Sequence, residues 1–373
     1  MTRRGGWTRR GSKGRFRYYD SRGNPIVDPA KLARIEALVI PPAWRDVWIS
    51  PRPHAKLQAT GIDTAGRRQY LYHPEFRAAQ EQAKFDRLIK FAEALPQLRA
   101  SMAEHMEHDP YDRERVSAVA IRLINLGWFR VGAERYVRES RTYGITTLTK
   151  RHVEVKRGGK IVFRFKGKAG SQIRTTLVDA ELAAAMRELL KLGGGSRVFR
   201  YEWEGGIYNL TDRRLNDYVK IYLGEEFSAK DFRTWGGTLL AALYLAERGV
   251  AQTETEAKRA VAAAMRNVAE RLGNTPAVAR ASYVSPAVVE QYLDGRTIED
   301  FRPRHLRVVS ARDVELDSEE QALLSLLRSW RIRRARVVER DPDRRALSLL
   351  NLLAGDVGHE HCLSSHAFLL ELR

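Results

Sequence analysis

The chain has 373 residues, a hydrophobic fraction of 43 % and a formal net charge of +19 at pH 7, values that suit a soluble globular protein of two domains. So strong a positive balance predicts a polyanionic partner, usually nucleic acid, although a basic proteome or a membrane-surface protein would show the same balance. The single cysteine, Cys362, excludes a disulfide within the chain, and the longest apolar run, 239–246, is too short to span a bilayer.

The first third of the sequence predicts an arm and a small β-rich domain. Residues 1–15 are basic and carry no apolar periodicity, so they predict a flexible arm. Residues 16–77 hold short apolar stretches separated by Gly, Pro and Asp, which predicts strands over 16–19, 47–50 and 69–72. Helical periodicity begins near Glu75 and predicts a domain boundary after residue 77.

Residues 78–312 are predicted to form a larger, mainly helical domain. A helix is expected over 113–129, followed by a change to strand periodicity over 152–178. Glycine turns divide that segment into three strands, with Lys168 at the tip of the second turn. Helical patterns resume from 180 to 295. Residues 313–373 predict one helix, around 318–330, and a loosely attached tail.

Targeting and cofactor signals are sparse. The basic N-terminus lacks the apolar stretch of a secretory signal, and the lone cysteine favours a reducing, cytoplasmic compartment. The sequence has no Cys-x-x-Cys pair, no His/Cys cluster and no phosphate-binding Gly-Lys-Ser/Thr loop. We therefore expect no metal or nucleotide cofactor.

Two pentads that precede Tyr283 carry the chemistry. They are Asp231-Phe232-Arg233-Thr234-Trp235 and Leu272-Gly273-Asn274-Thr275-Pro276, and Asn274 stands nine residues before the tyrosine. A phosphodiester under attack needs a nucleophile, and cationic or hydrogen-bonding groups around its non-bridging oxygens. The segment provides these residue types in a plausible order.

Further motifs extend the pattern towards the N-terminus. They are Gly61-Ile62-Asp63-Thr64-Ala65-Gly66-Arg67-Arg68-Gln69-Tyr70-Leu71-Tyr72, then Phe129-Arg130-Val131-Gly132, then Lys166-Gly167-Lys168. In this order and spacing, over roughly residues 15–310, the chain resembles the compact bacterial and poxvirus-like type IB DNA topoisomerases. The resemblance implies an α+β fold with a small β-rich N-terminal lobe and a larger, mainly α catalytic lobe with a three-stranded antiparallel sheet. Together the lobes would form a C-shaped clamp around duplex DNA.

The resemblance also implies a role for each catalytic residue. Tyr283 would attack a backbone phosphate and form a 3′-phosphotyrosyl intermediate, with Arg130 and Arg233 on the non-bridging oxygens. Lys168 would protonate the leaving 5′-oxygen. Asn274 would donate to a non-bridging oxygen. Many family members have histidine there, which can carry charge as well as donate.

Residues outside the catalytic set are expected to contact DNA. These are Arg67, Arg68, Gln69, Tyr70 and Tyr72 in the N-terminal motif, and Tyr136 and Lys230 in the catalytic domain. The implied enzyme relaxes supercoiled duplex DNA as a monomer, associated with the nucleoid, without cofactors and without a membrane partner.

Other interpretations remain open at this point. Taken singly, the arginines, Lys168 and Asn274 are ordinary surface or capping residues, and Tyr283 is an ordinary packing tyrosine. A tyrosine site-specific recombinase shares the chemistry, but it usually has histidine at the place of Lys230. A non-catalytic basic DNA-binding protein would not need all five catalytic positions.

Overall fold

The computed structural model describes residues 5–12, 14–302 and 315–340. The chain divides into two compact units, Met1–Lys84 and Phe85–Arg373. This division falls inside one continuous helix, and the domain boundary predicted after residue 77 stays a prediction. Periodicity shows where that helix begins, but it does not show where the tertiary contacts change.

The first unit is a five-stranded antiparallel sheet with one helix. The strand order is β2-β1-β3-β4-β5. The elements are β1 (Trp7–Arg10), β2 (Arg17–Tyr19), α1 (Pro29–Ala37), β3 (Arg45–Ile49), β4 (Leu57–Ile62) and β5 (Arg68–Tyr72). The small core contains Ile35 of α1 together with Trp7, Val47, Ile49 and Ala59 of the sheet. The expected β-rich N-terminal part is confirmed.

Two features of this unit differ from the sequence analysis. Part of the predicted flexible arm is strand β1, because Trp7 is buried in the core and Arg9 donates to the carbonyls of Ile40, Pro41 and Trp44 at 3.2, 3.0 and 2.7 Å. Helix α1 was not predicted. Its signal is Asp28, whose side chain accepts from the Ala30 amide at 2.9 Å, followed by proline at the first helical position.

The second unit is mainly helical and contains two small sheets. Its helices are α2 (Pro74–His105, which begins in the first unit), α3 (Arg113–Gly127), α4 (Glu134–Ser140), α5 (Ala180–Lys191), α6 (Asp212–Leu223), α7 (Ala229–Arg248), α8 (Glu254–Leu272), α9 (Pro276–Ser282), α10 (Pro286–Leu293) and α11 (Ser318–Arg340). Its strands are β6 (Val153–Val155), β7 (Lys160–Lys166), β8 (Gln172–Val178), β9 (Arg200–Trp203) and β10 (Gly206–Asn209). Strands β6, β7 and β8 form the predicted three-stranded antiparallel sheet, which is confirmed.

The hairpin β9–β10 was not predicted, and it is a further interruption of the helical patterns expected over 180–295. Glu204 and Gly205 have φ values of 48° and 75°, the left-handed conformation that a tight hairpin turn requires. The available signal was the pair of short stretches with aromatic residues on either side of this glycine turn, which favour strands.

Helix α7 is the central element that positions the site. Its first turn is fixed by Ser228 and Asp231, whose carboxylate accepts from the Ser228 amide at 2.9 Å and from Arg87 of α2 at 2.9 Å. At its middle, Trp235 donates to Glu320 of α11 at 3.1 Å, and Glu320 also binds Arg99 at 2.7 Å. Helices α2 and α11 therefore hold α7 from two sides.

Some predictions fall on residues that lie outside the described ranges. These are the domain end at 312, the tail from 341 to 373, and residues 1–4 and 13 of the predicted arm. The predicted helix around 318–330 is present and continues to Arg340. Among the described helices, none is both long and apolar enough to cross a membrane.

Candidate active site

Arg130 follows a sharp change of direction at the end of α3. Trp128 closes that helix in the left-handed conformation, at φ 49°, and its amide bonds the Ile124 carbonyl at 2.8 Å. The buried Phe129 anchors the next residue, and the Arg130 carbonyl accepts from the Ile145 amide at 2.9 Å. The backbone of Arg130 is thus held on both sides, while its side chain extends towards the end of α8.

Arg233 is 4 % exposed and bonds two carbonyls from distant segments. Its Nη1 donates to Trp128 O, and its Nη2 donates to Leu272 O at 2.7 Å. Burial and, to a smaller extent, the charge of Arg130 lower the pKa of Arg233 to about 10. The group stays protonated at neutral pH, and its position is fixed before any ligand binds.

Asn274 lies between two helices whose ends hold its backbone. Gly273 closes α8 at φ 61°, the Asn274 amide bonds Ala269 O at 2.8 Å, and Thr275 caps α9. The side chain takes no part in capping. Its Oδ1 accepts from Arg130 Nη2 at 2.5 Å, and its buried Nδ2 has no hydrogen-bond partner within the described part of the chain. The bond from Arg130 therefore orients the side-chain amide of Asn274. The Nδ2 group of that amide can still donate a hydrogen bond to another acceptor.

Tyr283 lies at the C-terminal end of α9 and is 6 % exposed. The Arg233 guanidinium carbon lies 5.0 Å from the centre of its ring. Burial alone would raise the pKa of the phenol, but the charges of Arg233 and Arg130 outweigh it, and the pKa lies below its ordinary value. A phenol in this position has increased phenolate character.

Two residues that the sequence analysis missed support the backbone of Tyr283. Thr238 of α7 is fully buried, and its hydroxyl lies 2.7 Å from Thr234 O and 3.2 Å from Tyr283 O. The same oxygen accepts from the Ser285 amide at 3.1 Å. Next to it, a side chain on Gly237 would come within 2.8 Å of Tyr283 O. The available signal was a Gly-Gly-Thr sequence inside a helix, where glycine is unfavourable unless another backbone approaches.

Lys168 differs from these residues because it is exposed. It begins a short 3-10 turn, Lys168–Gly170, between β7 and β8, and the hydroxyl of Ser171 donates to its carbonyl at 2.9 Å. A side chain on Gly273 would lie 3.4 Å from Ile173 Cδ1, so the base of the turn adjoins the Gly273–Asn274 segment. Within residues 14–302 and 315–340, Lys168 Nζ has no ionic or hydrogen-bond partner.

The two predicted DNA contacts of the second unit, Lys230 and Tyr136, are exposed. Lys230 is exposed in the first turn of α7, one turn before Arg233. Tyr136 is 46 % exposed on α4, and Arg135 both donates to its hydroxyl at 2.8 Å and lies 4.7 Å from its ring centre. Neither residue bonds a member of the catalytic set.

The N-terminal motif lies on the edge strand β5 and divides between two faces. Arg68, Tyr70 and Tyr72 alternate on the exposed face, and the two tyrosine rings stack at 6.3 Å. Gln69 points to the other face, where it donates to Asp63 at 2.8 Å, and Arg67 binds the same carboxylate at 2.9 Å. The Arg67 amide and these side chains lower the pKa of Asp63 to about 2.

The cluster is suited to binding an oxyanion. Two guanidinium groups lie close enough to a phenol to acidify it by their charge, and one of them also holds an amide whose donor has no partner among the described residues. Such donors stabilise negative charge most strongly when they are oriented in advance and shielded from water. In the described ranges, no group of three or more His, Cys, Asp or Glu side chains could hold a metal ion.

Comparison with known proteins assigns the family. The profile of the eukaryotic DNA topoisomerase I catalytic core matches residues 73–302, and that of the bacterial DNA topoisomerase IB N-terminal domain matches residues 15–63. DNA topoisomerase 1B of Acanthamoeba polyphaga mimivirus is 34% identical over 286 residues, which are 74% of this chain and 84% of the viral protein. DNA topoisomerase 1B of vaccinia virus (strain Copenhagen) is 24% identical over 243 residues, 64% of this chain and 73% of that protein. With one profile spanning most of the chain and a relative at this level of identity over most of both sequences, the chain belongs to the type IB DNA topoisomerase family.

Proposed function

We propose that this protein relaxes supercoiled duplex DNA by cutting one strand through Tyr283 and resealing it. The observation that carries the proposal is the convergence of Arg130, Arg233 and Asn274 beside a buried tyrosine with a lowered pKa. The family assignment supports the same reaction, since the relatives are named DNA topoisomerases.

In the proposed cleavage step, Tyr283 Oη forms a bond to the phosphorus and the bond from phosphorus to the 5′-oxygen breaks. The phenol proton leaves to water, and Lys168 Nζ donates a proton to the departing oxygen. Arg130, Arg233 and the Asn274 amide donate to the non-bridging oxygens, where charge builds up in the pentacoordinate transition state. The products are a 3′-phosphotyrosyl enzyme and a free 5′-hydroxyl.

Religation is the reverse of the cleavage step, and the lowered pKa of Tyr283 favours departure of the phenol in that step. A more acidic phenol is more available as phenolate for the attack and is also a better leaving group when the 5′-hydroxyl returns. Because the phosphotyrosine bond conserves the energy of the phosphodiester, the cycle needs no ATP. The arginines provide the positive charge that a metal ion supplies in other phosphoryl-transfer enzymes.

We further propose that a monomer suffices, because one nucleophile cuts one strand, and that its substrate is the supercoiled DNA of the nucleoid. Arg67, Arg68, Gln69, Tyr70, Tyr72, Tyr136 and Lys230 are proposed to contact that DNA. Phosphate contacts of this kind position the duplex and do not perform the chemistry. The C-shaped clamp that the resemblance implies stays a prediction.

The test is relaxation of a supercoiled plasmid that carries no recombination site, in EDTA and without ATP. We expect fully relaxed topoisomers, and a covalent protein–DNA adduct after denaturation with detergent. Tyr283→Phe serves as the matched control and should give neither product. An absolute requirement for Mg²⁺ or ATP would contradict the proposal, and activity restricted to plasmids with a particular paired site would indicate a recombinase.

A further inference from the structure

The outer face of the three-stranded sheet carries a group of basic side chains at the end of β7 and the start of β8. Side chains alternate along β7, so that Ile161, Phe163 and Phe165 are buried while Arg164 and Lys166 are exposed. Strand β8 continues the pattern with Gln172, Arg174 and Thr176 exposed. We call the side chains of Arg164, Lys166 and Arg174 the arginine face.

The register of this sheet places two like charges side by side. Arg164 lies directly opposite Arg174, and Lys166 lies opposite Gln172. Directly opposed like charges destabilise a sheet, since their Cβ atoms are only about 4.5–5.5 Å apart. A fold does not need this arrangement, because polar uncharged residues such as Thr176 suit the same exposed positions.

Acidic residues close to the arginine face neutralise little of its positive charge. Glu154 binds Arg164 at 3.2 Å, but the two side chains are 51% and 61% exposed, and Glu154 also binds Lys156 at 3.5 Å. In the described part of the chain, Arg174 has no carboxylate within ion-pair distance. The unbalanced charge is therefore concentrated at the Arg164–Arg174 pair.

The arginine face leads towards the catalytic turn. Residues two apart on a strand are about 6.6–6.8 Å apart, so Arg164 and Lys166 form successive steps along β7. Two residues after Lys166 comes Lys168, at the turn whose base adjoins Gly273. Positive charge thus continues from the sheet to the residue that we assign to the scissile phosphate.

We propose that the arginine face binds the phosphates of duplex DNA flanking the cleavage position, which rests on the proposed function. Guanidinium groups bind phosphate through paired donors, and a phosphate close to both Arg164 and Arg174 offsets their mutual repulsion. The two positive charges that repel each other in the free protein both attract the phosphates of bound DNA. This face is absent from the sequence-based set of DNA contacts, because only the strand register reveals it.

The test uses Arg174→Gln and Arg174→Glu, with two measurements on each. Thermal unfolding of the free protein should occur at or above the wild-type temperature, and highest for Arg174→Glu, which converts the opposed pair into an ion pair. The salt dependence of DNA binding should weaken, with the slope of log K against log [salt] smaller by about 0.9 for each phosphate that the variant no longer binds.

Arg259→Gln and Arg259→Glu are the matched controls, since Arg259 is exposed on α8 and each substitution changes the net charge as its Arg174 counterpart does. The inference is overturned if the slope is unchanged for both Arg174 variants, or if the matched Arg259 variants reduce it equally. It is also overturned if Arg174→Gln unfolds at a lower temperature than the wild type. Failure of the wild-type protein to bind or relax DNA would instead overturn the proposed function.

Discussion

The Arg233–Tyr283 region and the Lys168 turn contribute to one proposed reaction but are built differently. Arg233 is 4 % exposed and bound to two backbone carbonyls, whereas Lys168 is exposed and its amine has no partner in the described residues. Groups that stabilise charge gain from being fixed, because they need no reorganisation when the charge appears. A proton donor must reach a leaving oxygen whose position the DNA determines. The comparison indicates that the protein orients the charge-stabilising groups and that the substrate orients the acid.

The strongest expected effect is at the nucleophile. Tyr283→Phe removes one oxygen and leaves a ring that still packs beside Arg233. Cleavage and covalent adduct should fall below detection, while DNA affinity and thermal stability stay near wild type. Adduct recovered from this variant would show that another residue is the nucleophile.

The next prediction separates the proton donor from the fixed cations. Lys168→Ala should slow single-turnover cleavage by about 10²–10⁴, the range for removal of a general acid. It should recover most of that rate when the 5′-bridging oxygen is replaced by sulfur. A thiol has a pKa of about 8.5 and leaves without a proton, whereas the conjugate alcohol is about as weak an acid as water, with a pKa of roughly 15.7.

Arg233→Ala is the matched comparison for that substrate pair. Its donors are assigned to non-bridging oxygens, which the sulfur does not change, so the defect should persist on both substrates. Equal defects of Lys168→Ala on oxygen and sulfur would remove Lys168 as the acid. Full recovery of Arg233→Ala on sulfur would show that the fixed region also assists the leaving group.

A smaller effect is expected at Asn274, whose two side-chain atoms can be tested separately. Asn274→Ala removes both and should slow cleavage by about 10²–10³, the usual effect of removing one transition-state donor. Asn274→Asp keeps the acceptor for Arg130 but places negative charge near the phosphate, so it should be slower still. Asn274→His should keep much of the activity, because a neutral imidazole accepts at one nitrogen and donates at the other. A wild-type rate for Asn274→Ala would leave this residue with no role beyond packing.

The smallest predicted effect is at Thr238, whose hydroxyl bonds the nucleophile segment through its backbone and not through the phenol of Tyr283. Thr238→Val preserves shape but leaves the Ser285 amide without its acceptor. Cleavage should slow by about tenfold, equivalent to about 1.4 kcal/mol of barrier, with unchanged DNA affinity. Thr238→Ser should restore the rate because it restores the hydroxyl. An unstable Thr238→Val protein with a normal cleavage rate per folded molecule would assign the hydroxyl to folding alone.

The sequence was sufficient to predict those features that depend on local residue patterns or on the order of motifs along the chain. The strands of the three-stranded sheet and the start of α2 could be predicted from periodicity, and the family could be recognised from the order of its motifs. The roles of the five candidate catalytic residues, which the resemblance implies, stay predictions. It was insufficient to predict contacts between residues that lie far apart in the sequence and meet only in the folded protein. Nothing near Trp7 shows that its indole will be buried. The Gly-Gly-Thr sequence that ends at Thr238 indicates that another backbone comes close, but it does not show that this backbone is the carbonyl of Tyr283, 45 residues away.

The long-range hydrogen bonds of Arg233 and Arg130 have a consequence for how the protein matures. They join positions separated by 105, 39 and 144 residues, so the site forms only after the most distant parts of the second unit have met. The entropy of closing such long loops must be overcome before these contacts can form. A partly folded or locally opened molecule therefore lacks the oriented cations, and with them the acidified phenol, while its basic surface remains. Such a molecule would hold DNA without breaking it, so incomplete folding would not by itself leave strand breaks.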